Sequence, residues 1–215
     1  MRIRVRNAIN AAALLAAAVP LQNPPAPAAI TPRLDTPQVR VIVATLQPHT
    51  PSIAANGHAT SRVLIYLDDG AMTRTEEGQS ARIEFHRGDV RWRPASGAYT
   101  AENVSDHPIR ILEVDMKSRR EPPAAEQSPA RLDPAIVDPA HYKVVLDNEY
   151  VRVLRIHFGP HEKSPLHEHT GNRVVVYLND QAGGKADDVR VAAAATHTEE
   201  NMSDKPADRI AVELK

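Results

Sequence analysis

Residues 61–69 read SRVLIYLDD, and residues 172–180 read NRVVVYLND. The pair is one sequence written twice. Working outward, QVRVIVATLQPH (38–49) matches YVRVLRIHFGPH (150–161), and NVSDHPIRILEVDMK (103–117) matches NMSDKPADRIAVELK (201–215). The chain therefore carries two copies of one unit. Each matched run is short, rich in Val and Ile, and bounded by Asp, Asn, Gly or Pro. Several runs alternate apolar with polar, as in Val90 and Trp92 against Arg91 and Arg93. Short alternating strands with frequent turn signals predict an all-β fold, an antiparallel sandwich or barrel.

The repeat frame sets the boundaries. Copy one spans 39–117 and copy two spans 141–215. Residues 118–140 hold five prolines and no strand pattern, which reads as a Pro-rich, semi-extended linker. Residues 29–38 read as a loose N-terminal segment. KVVLDNEYVRVLRIHFG reads as a hairpin with Asp147-Asn148 near its turn. A length of 215 residues suits two units of roughly 80 residues, small enough to need apolar burial against each other.

The N-terminus has the three parts of a secretory leader. MRIRVRN is basic, AINAAALLAAAV is apolar, and Ala26-Pro27-Ala28 is a small-x-small cleavage site. The apolar run is too short for a permanent membrane-spanning helix. Residues 1–28 are thus expected to be a signal peptide, placing the mature chain in the periplasm or outside the cell with no stable membrane span. Cleavage removes Arg2, Arg4 and Arg6 and no acid, taking the formal charge from −1 to −4. Weak acidity without a basic stripe gives nucleic acid no electrostatic footprint. The absence of cysteine excludes disulfides, thiolate ligands and a cysteine nucleophile.

The copies differ in their histidines. LHEH places His167 and His169 ahead of the second RVVVYL run, and His197 follows it. Copy one has Asn56, His58 and Tyr99 at these places. His-x-His on a strand puts both rings on one face, because the strand repeats every two residues. Imidazole suits Zn, Cu, Fe and Ni, and a third His from a neighbouring strand leaves positions open for water or substrate. His167, His169 and His197 are therefore the candidate metal ligands, and copy one offers too few. The alternative is a set of pocket histidines left from a decayed site. The interval from His58 to Tyr99 is 41 residues, against 28 from His169 to His197. Copy two thus lacks about thirteen residues, close to one hairpin. Arg173 aligns with Arg62 and reads either as a strand-edge residue or as an anchor for an anionic substrate. Asn103 and Asn201 read as turn formers, Trp92 as core, His141 and His157 as structural. His161 and Glu162 read as rim residues. In the pair Glu199-Glu200 only one side chain can share a face with a given neighbour.

These residues resemble the cupin family. Copy two gives Gly159, His167-Glu168-His169 and His197-x3-Asn201; copy one gives Gly88-x5-Pro94, Gly97, Tyr99 and Asn103. The resemblance covers both copies and implies a bicupin, two tandem jelly-roll barrels, with a divalent metal (Fe, Zn, Mn or Ni) in the second. Arg173 or Val174 stands where the family's metal-binding Glu would fall. Asp187 stands for a Gly and Ala193 for a Pro. The implied functions are a small-molecule metalloenzyme (a dioxygenase, isomerase or hydrolase) or a non-catalytic small-ligand binder without metal. Either leaves room for a homo-oligomer.

Cleavage of the leader is directly measurable. N-terminal sequencing of the native protein should start near Ala29. Recovery of Met1 or Arg2 on the folded protein would count against export by this route.

Overall fold

The computed structural model describes residues 28–54, 57–117 and 131–215. The expected signal peptide, Asn56 and most of the linker lie outside the described residues. The first unit contains β1 (Ala29–Asp35), β2 (Val39–Leu46), β3 (Pro51–Ala54), β4 (Arg62–Tyr66) and β5 (Gly70–Glu76). It continues with β6 (Gln79–Phe85), β7 (Val90–Arg93), β8 (Tyr99–Asn103) and β9 (Ile109–Met116). A single-turn helix α1 (Pro134–Val137) opens the second unit. There follow β10 (Tyr142–Asp147), β11 (Val151–Phe158), β12 (His167–His169), β13 (Arg173–Tyr177), β14 (Val189–Ala192), β15 (Ala195–His197) and β16 (Ala207–Leu214).

The repeat is reproduced strand for strand in the two large sheets. One five-stranded sheet has the order β1-β2-β9-β4-β7 and the other β10-β11-β16-β13-β14. Val63 pairs with Val114 as Val174 pairs with Val212, and Arg62 pairs with Asp115 as Arg173 pairs with Glu213. Each five-stranded sheet is accompanied by a smaller one, β3-β8-β5-β6 in the first unit and β12-β15 in the second. The hairpin missing from copy two is the β5–β6 hairpin.

The two large sheets share one core. Val41, Val63, Ile65, Leu112 and Val114 of the first unit cluster with Val153, Val174, Val176, Ile210 and Val212 of the second. The opposite face of the first sheet packs Leu46, Leu64, Tyr66 and Ile111 on Met72, Ile83, Phe85 and Ala101 of the small sheet. In the second unit Tyr142, Leu154, Phe158 and Ala211 line the corresponding face. Strands such as β2 and β4 are thus covered on both faces, which explains their near-continuous apolar runs.

Turns repeat as faithfully as strands. His49 and His161 both take positive φ (50° and 58°). Each ring then meets an aspartate, Asp106 at 3.0 Å and Asp204 at 2.8 Å. Asn103 and Asn201 are buried. Their amides donate to Leu46 and His107 carbonyls in one copy, and to Gly159 and Lys205 carbonyls in the other. Gly88 (φ 85°) corresponds to Asp187 (φ 69°); their amides donate to the Tyr66 and Tyr177 carbonyls, both at 2.8 Å. Aspartate tolerates the left-handed region better than most residues, and its carboxylate links the units. Asp187 accepts from Arg87 at 2.6 Å and from Arg110 at 2.5 Å, both in the first unit.

Two expectations need correction. Residues 29–38 are not loose, because Ala29–Asp35 forms β1 against β2. Pro32 is tolerated there because β1 is an edge strand, and the register shifts between Pro32 and Leu34. β10 carries the same shift between Val144 and Leu146, so the repeat begins at β1 rather than at Val39. The end of the expected linker is also anchored. Asp133 accepts from the Ala135 amide at 2.9 Å, capping α1, and binds Arg152 through both oxygens at 2.7 and 2.9 Å.

The shared core makes a quantitative prediction. Ile65→Ala and Ile210→Ala, on opposite sheets, should each lower stability by about 2–5 kcal/mol in urea denaturation. Ile136→Ala, at a residue 69% exposed, should stay within about 0.5 kcal/mol.

Candidate metal centre

His167 and His169 alternate on β12 around the outward Glu168, so both rings face the same side. β15 pairs antiparallel with β12 and sets His197 directly opposite His167. Directly opposed residues share a face, so three rings converge. Ring centroids lie 4.6 Å apart for His167–His197, 5.2 Å for His167–His169 and 5.5 Å for His169–His197. One nitrogen from each ring lies within 4.8 Å of the others, a spacing that could hold a metal ion.

The surroundings fix the rings. His169 Nδ1 lies 2.7 Å from Glu213 Oε1, so Nδ1 carries the proton donated to the carboxylate. His167 Nδ1 faces the Pro165 carbonyl at 3.0 Å and likewise donates. In both rings Nε2 is left with its lone pair. A carboxylate or carbonyl behind an imidazole in this way orients it and raises its basicity as a ligand. His197 Nε2 is buried without a hydrogen-bond partner among the described residues, an arrangement that costs about 1–3 kcal/mol unless something binds there.

A polar group stands beside the rings. The Tyr142 hydroxyl lies 3.1 Å from His167 Nε2 and 3.0 Å from Glu199 Oε2. It has one proton for two acceptors. Burial, then the Glu199 charge, pushes the Tyr142 phenol far above its usual range, so it stays protonated. Arg209 forms an ion pair with Glu199. Glu200 points the other way, to Lys163 at 3.0 Å. Burial lowers the pKa of His167 and of His197; nearby histidines add to this in both.

Arg173 is buried and donates to the Ala193 carbonyl at 2.6 Å, which favours its strand-supporting role. His161 and Glu162 stay on the rim. Glu162 accepts from the Gly159 amide and meets His141 Nε2 at 3.2 Å. His141 is structural, stacked on Phe158 at 4.3 Å and held by Asp138 at 2.8 Å. His157 serves the surface, paired with Asp208 at 2.8 Å. Trp92 is half-buried and stacks on Tyr150 of the second unit. In the first unit His58 Nε2 bonds the Tyr99 hydroxyl at 3.0 Å, as the repeat frame anticipates. His58, Glu113 and Asp115 also come within 4.8 Å of one another. Arg62 and Arg40, however, lie 3.0 and 2.8 Å from the two acids, so a cation there would meet two guanidiniums.

Sequence reasoning missed Tyr142, Glu199 as a partner of the site, and Glu213. Alternation places Glu213 on the face of Ala211, opposite the shared core, and the aligned Asp115 marks a recurring acid. For Tyr142 no comparable signal exists, since β10 reaches His167 only through the sheet.

No family model matches the chain, and no curated protein does. Solved structures do. A cupin 2 conserved barrel domain protein from Leptotrichia buccalis aligns over 91% of this chain and 92% of its own, at 14% identity and TM-score 0.55. The fold is a cupin fold. Oxalate decarboxylase from Bacillus subtilis, with Mn(II) centres, aligns over 86% of this chain and 75% of its own (14% identity, TM-score 0.58). Salicylate 1,2-dioxygenase from Pseudaminobacter salicylatoxidans aligns over 87% and 76% (9% identity, TM-score 0.58). At these identities the cupin likeness speaks for architecture, and function rests on the site.

The lowered histidine pKa values set the sign of a pH effect. The unfolded chain takes up imidazole protons near pH 6.5 and the folded chain only below that. Stability of metal-free protein from this source is full above about pH 6.5 and falls as pH drops toward the folded values. In thermal melts between pH 8 and 5, a His167→Asn/His197→Asn variant should show a shallower loss than the wild type. An unchanged slope would mean that these rings are not buried neutral.

Proposed function

We propose that the protein is an exported bicupin whose second unit binds one divalent metal through His167, His169 and His197 and acts on a small molecule as a mononuclear metalloenzyme. The observation that carries this reading is the buried, partnerless His197 Nε2, set beside two imidazoles whose Nδ1 protons are committed elsewhere. Three neutral nitrogen donors fit Fe, Zn or Ni, with Mn a further candidate. Such a metal would act as a Lewis acid or redox centre with positions left open for substrate.

The chain's own residues supply the rest. Glu213 and the Pro165 carbonyl hold two rings in their tautomers. Tyr142 holds a proton at its hydroxyl beside His167 Nε2, and Glu199 lies on its far side to receive one. Arg209 balances Glu199, and Phe158 and Ala211 exclude water from the face below. This supports a dioxygenase, isomerase or hydrolase that moves a proton near the metal.

Metal analysis of untagged protein tests the reading. Wild type should hold about one equivalent of metal, as should His58→Ala. His167→Ala should hold none, because two imidazoles cannot replace three. Occupancy should fall below about pH 6.5, since protonated imidazole cannot coordinate. Metal-free wild type under metal-replete expression, or equal loss in His58→Ala and His167→Ala, would overturn it.

A further inference from the structure

The first unit encloses a cavity of about 230 Å³. Its wall is apolar, formed by Ala44, Leu64, Tyr66, Met72, Ile83 and Ile111. Ile30 and Ile53, both exposed, also line it and give it an apolar mouth. One end is polar and cationic: Arg62, Arg74, Arg93 and His58 face a single acid, Glu113.

Arg62 is the residue that needs explaining. Its side chain is 1% exposed. Among the described residues its Nη1 has no hydrogen-bond partner, and Nε forms an ion pair with Glu113 Oε2 at 3.0 Å without hydrogen-bond geometry. Nη2 reaches only the Tyr99 hydroxyl, at 3.4 Å. The aligned Arg173 donates to a backbone carbonyl at 2.6 Å. A buried guanidinium left so poorly partnered is costly. Glu113 compensates it weakly, because burial pushes its carboxyl up to about 7. Arg93 feels burial first and then Arg74, Arg91 and Arg62. Arg74 is paired with Glu76 and Asp115 with Arg40, which leaves Arg62 and Arg93 at this end against Glu113.

We propose that this cavity binds a monocarboxylate with a compact apolar body of roughly ten non-hydrogen atoms in all, its carboxylate on Arg62 beside Tyr99 and His58. A guanidinium offers two parallel N–H groups to one carboxylate. A second carboxylate at the far end of the ligand would have to sit against the apolar wall, which excludes dicarboxylates. Arg74 lies 3.4 Å over the Tyr99 ring and holds the phenol in place. Loss of the metal ligands from this copy thus accompanies a different binding chemistry in the same scaffold.

Octanoate, octan-1-ol and octylammonium, titrated into the full chain by calorimetry at pH 7, test the proposal. Octanoate should bind once per chain, about ten- to hundredfold more tightly than octanol, and octylammonium should not bind. An Ile53→Trp reporter at the mouth should change fluorescence with octanoate. Arg62→Gln should remove the preference for octanoate over octanol. Should that variant not fold, the wild-type rank order and the reporter still decide. Equal affinity for octanoate and octanol, no binding of octanoate, or its loss in His167→Ala/His169→Ala protein would each overturn the proposal. The metal assay is independent of all three.

Discussion

The apolar layer between the two five-stranded sheets is the constraint on which the molecule depends. Units of this size bury a smaller share of their surface than larger domains do, so the shared layer adds to the internal core of each. Each sheet contributes one full face, with Val63, Ile65 and Val114 set against partners that include Val174, Val176 and Val212. Because the strand period is two, fixing these residues toward the shared layer fixes Arg62, Leu64, Arg173 and Val175 toward the outer faces. The three-histidine cluster and the Arg62 cavity therefore both lie away from the junction, in two compartments separated by packed aliphatic side chains.

Around that layer the polar links are few and specific. Asp187 occupies a left-handed position that the first copy gives to Gly88, and binds Arg87 and Arg110 of the first unit. Arg87 also donates to the Leu178 carbonyl. A substitution that looks like decay of a motif in one copy serves the junction between copies. The Gly-to-Asp change is thus no evidence against a working second site.

The two outer compartments have diverged in opposite senses. The second is polar, with imidazoles backed by Glu213 and a carbonyl, and Tyr142 and Glu199 alongside. The first keeps the β5–β6 hairpin, and with it Met72 and Ile83, which help build an apolar wall around a cavity. Removing that hairpin takes away half of the small sheet, so among the described residues the three histidines stand on β12 and β15 alone. Both strands are three residues long, and His167 and His197 are opposed within them.

The sequence by itself determined the repeat, the all-β class, the hairpin at Asp147-Asn148, the paired turns at Asn103 and Asn201, and the common face of His167 and His169. These are local: they follow from strand period, turn chemistry and spacing. The placing of His197 beside them came from the alignment of the copies. Only the tertiary structure decided which side chains stand behind the histidines, because Tyr142 and Glu213 come from strands whose neighbours are set by long-range pairing, and Glu199 follows β15. It also decided that Ala29–Asp35 is a strand. Pro32 reads as a breaker along the chain, whereas an edge position leaves its missing amide without consequence. The poorly partnered Arg62 was invisible for the same reason. An arginine before RVLIYL-type strands looks alike in both copies, and only the surroundings show that one is satisfied and the other is not.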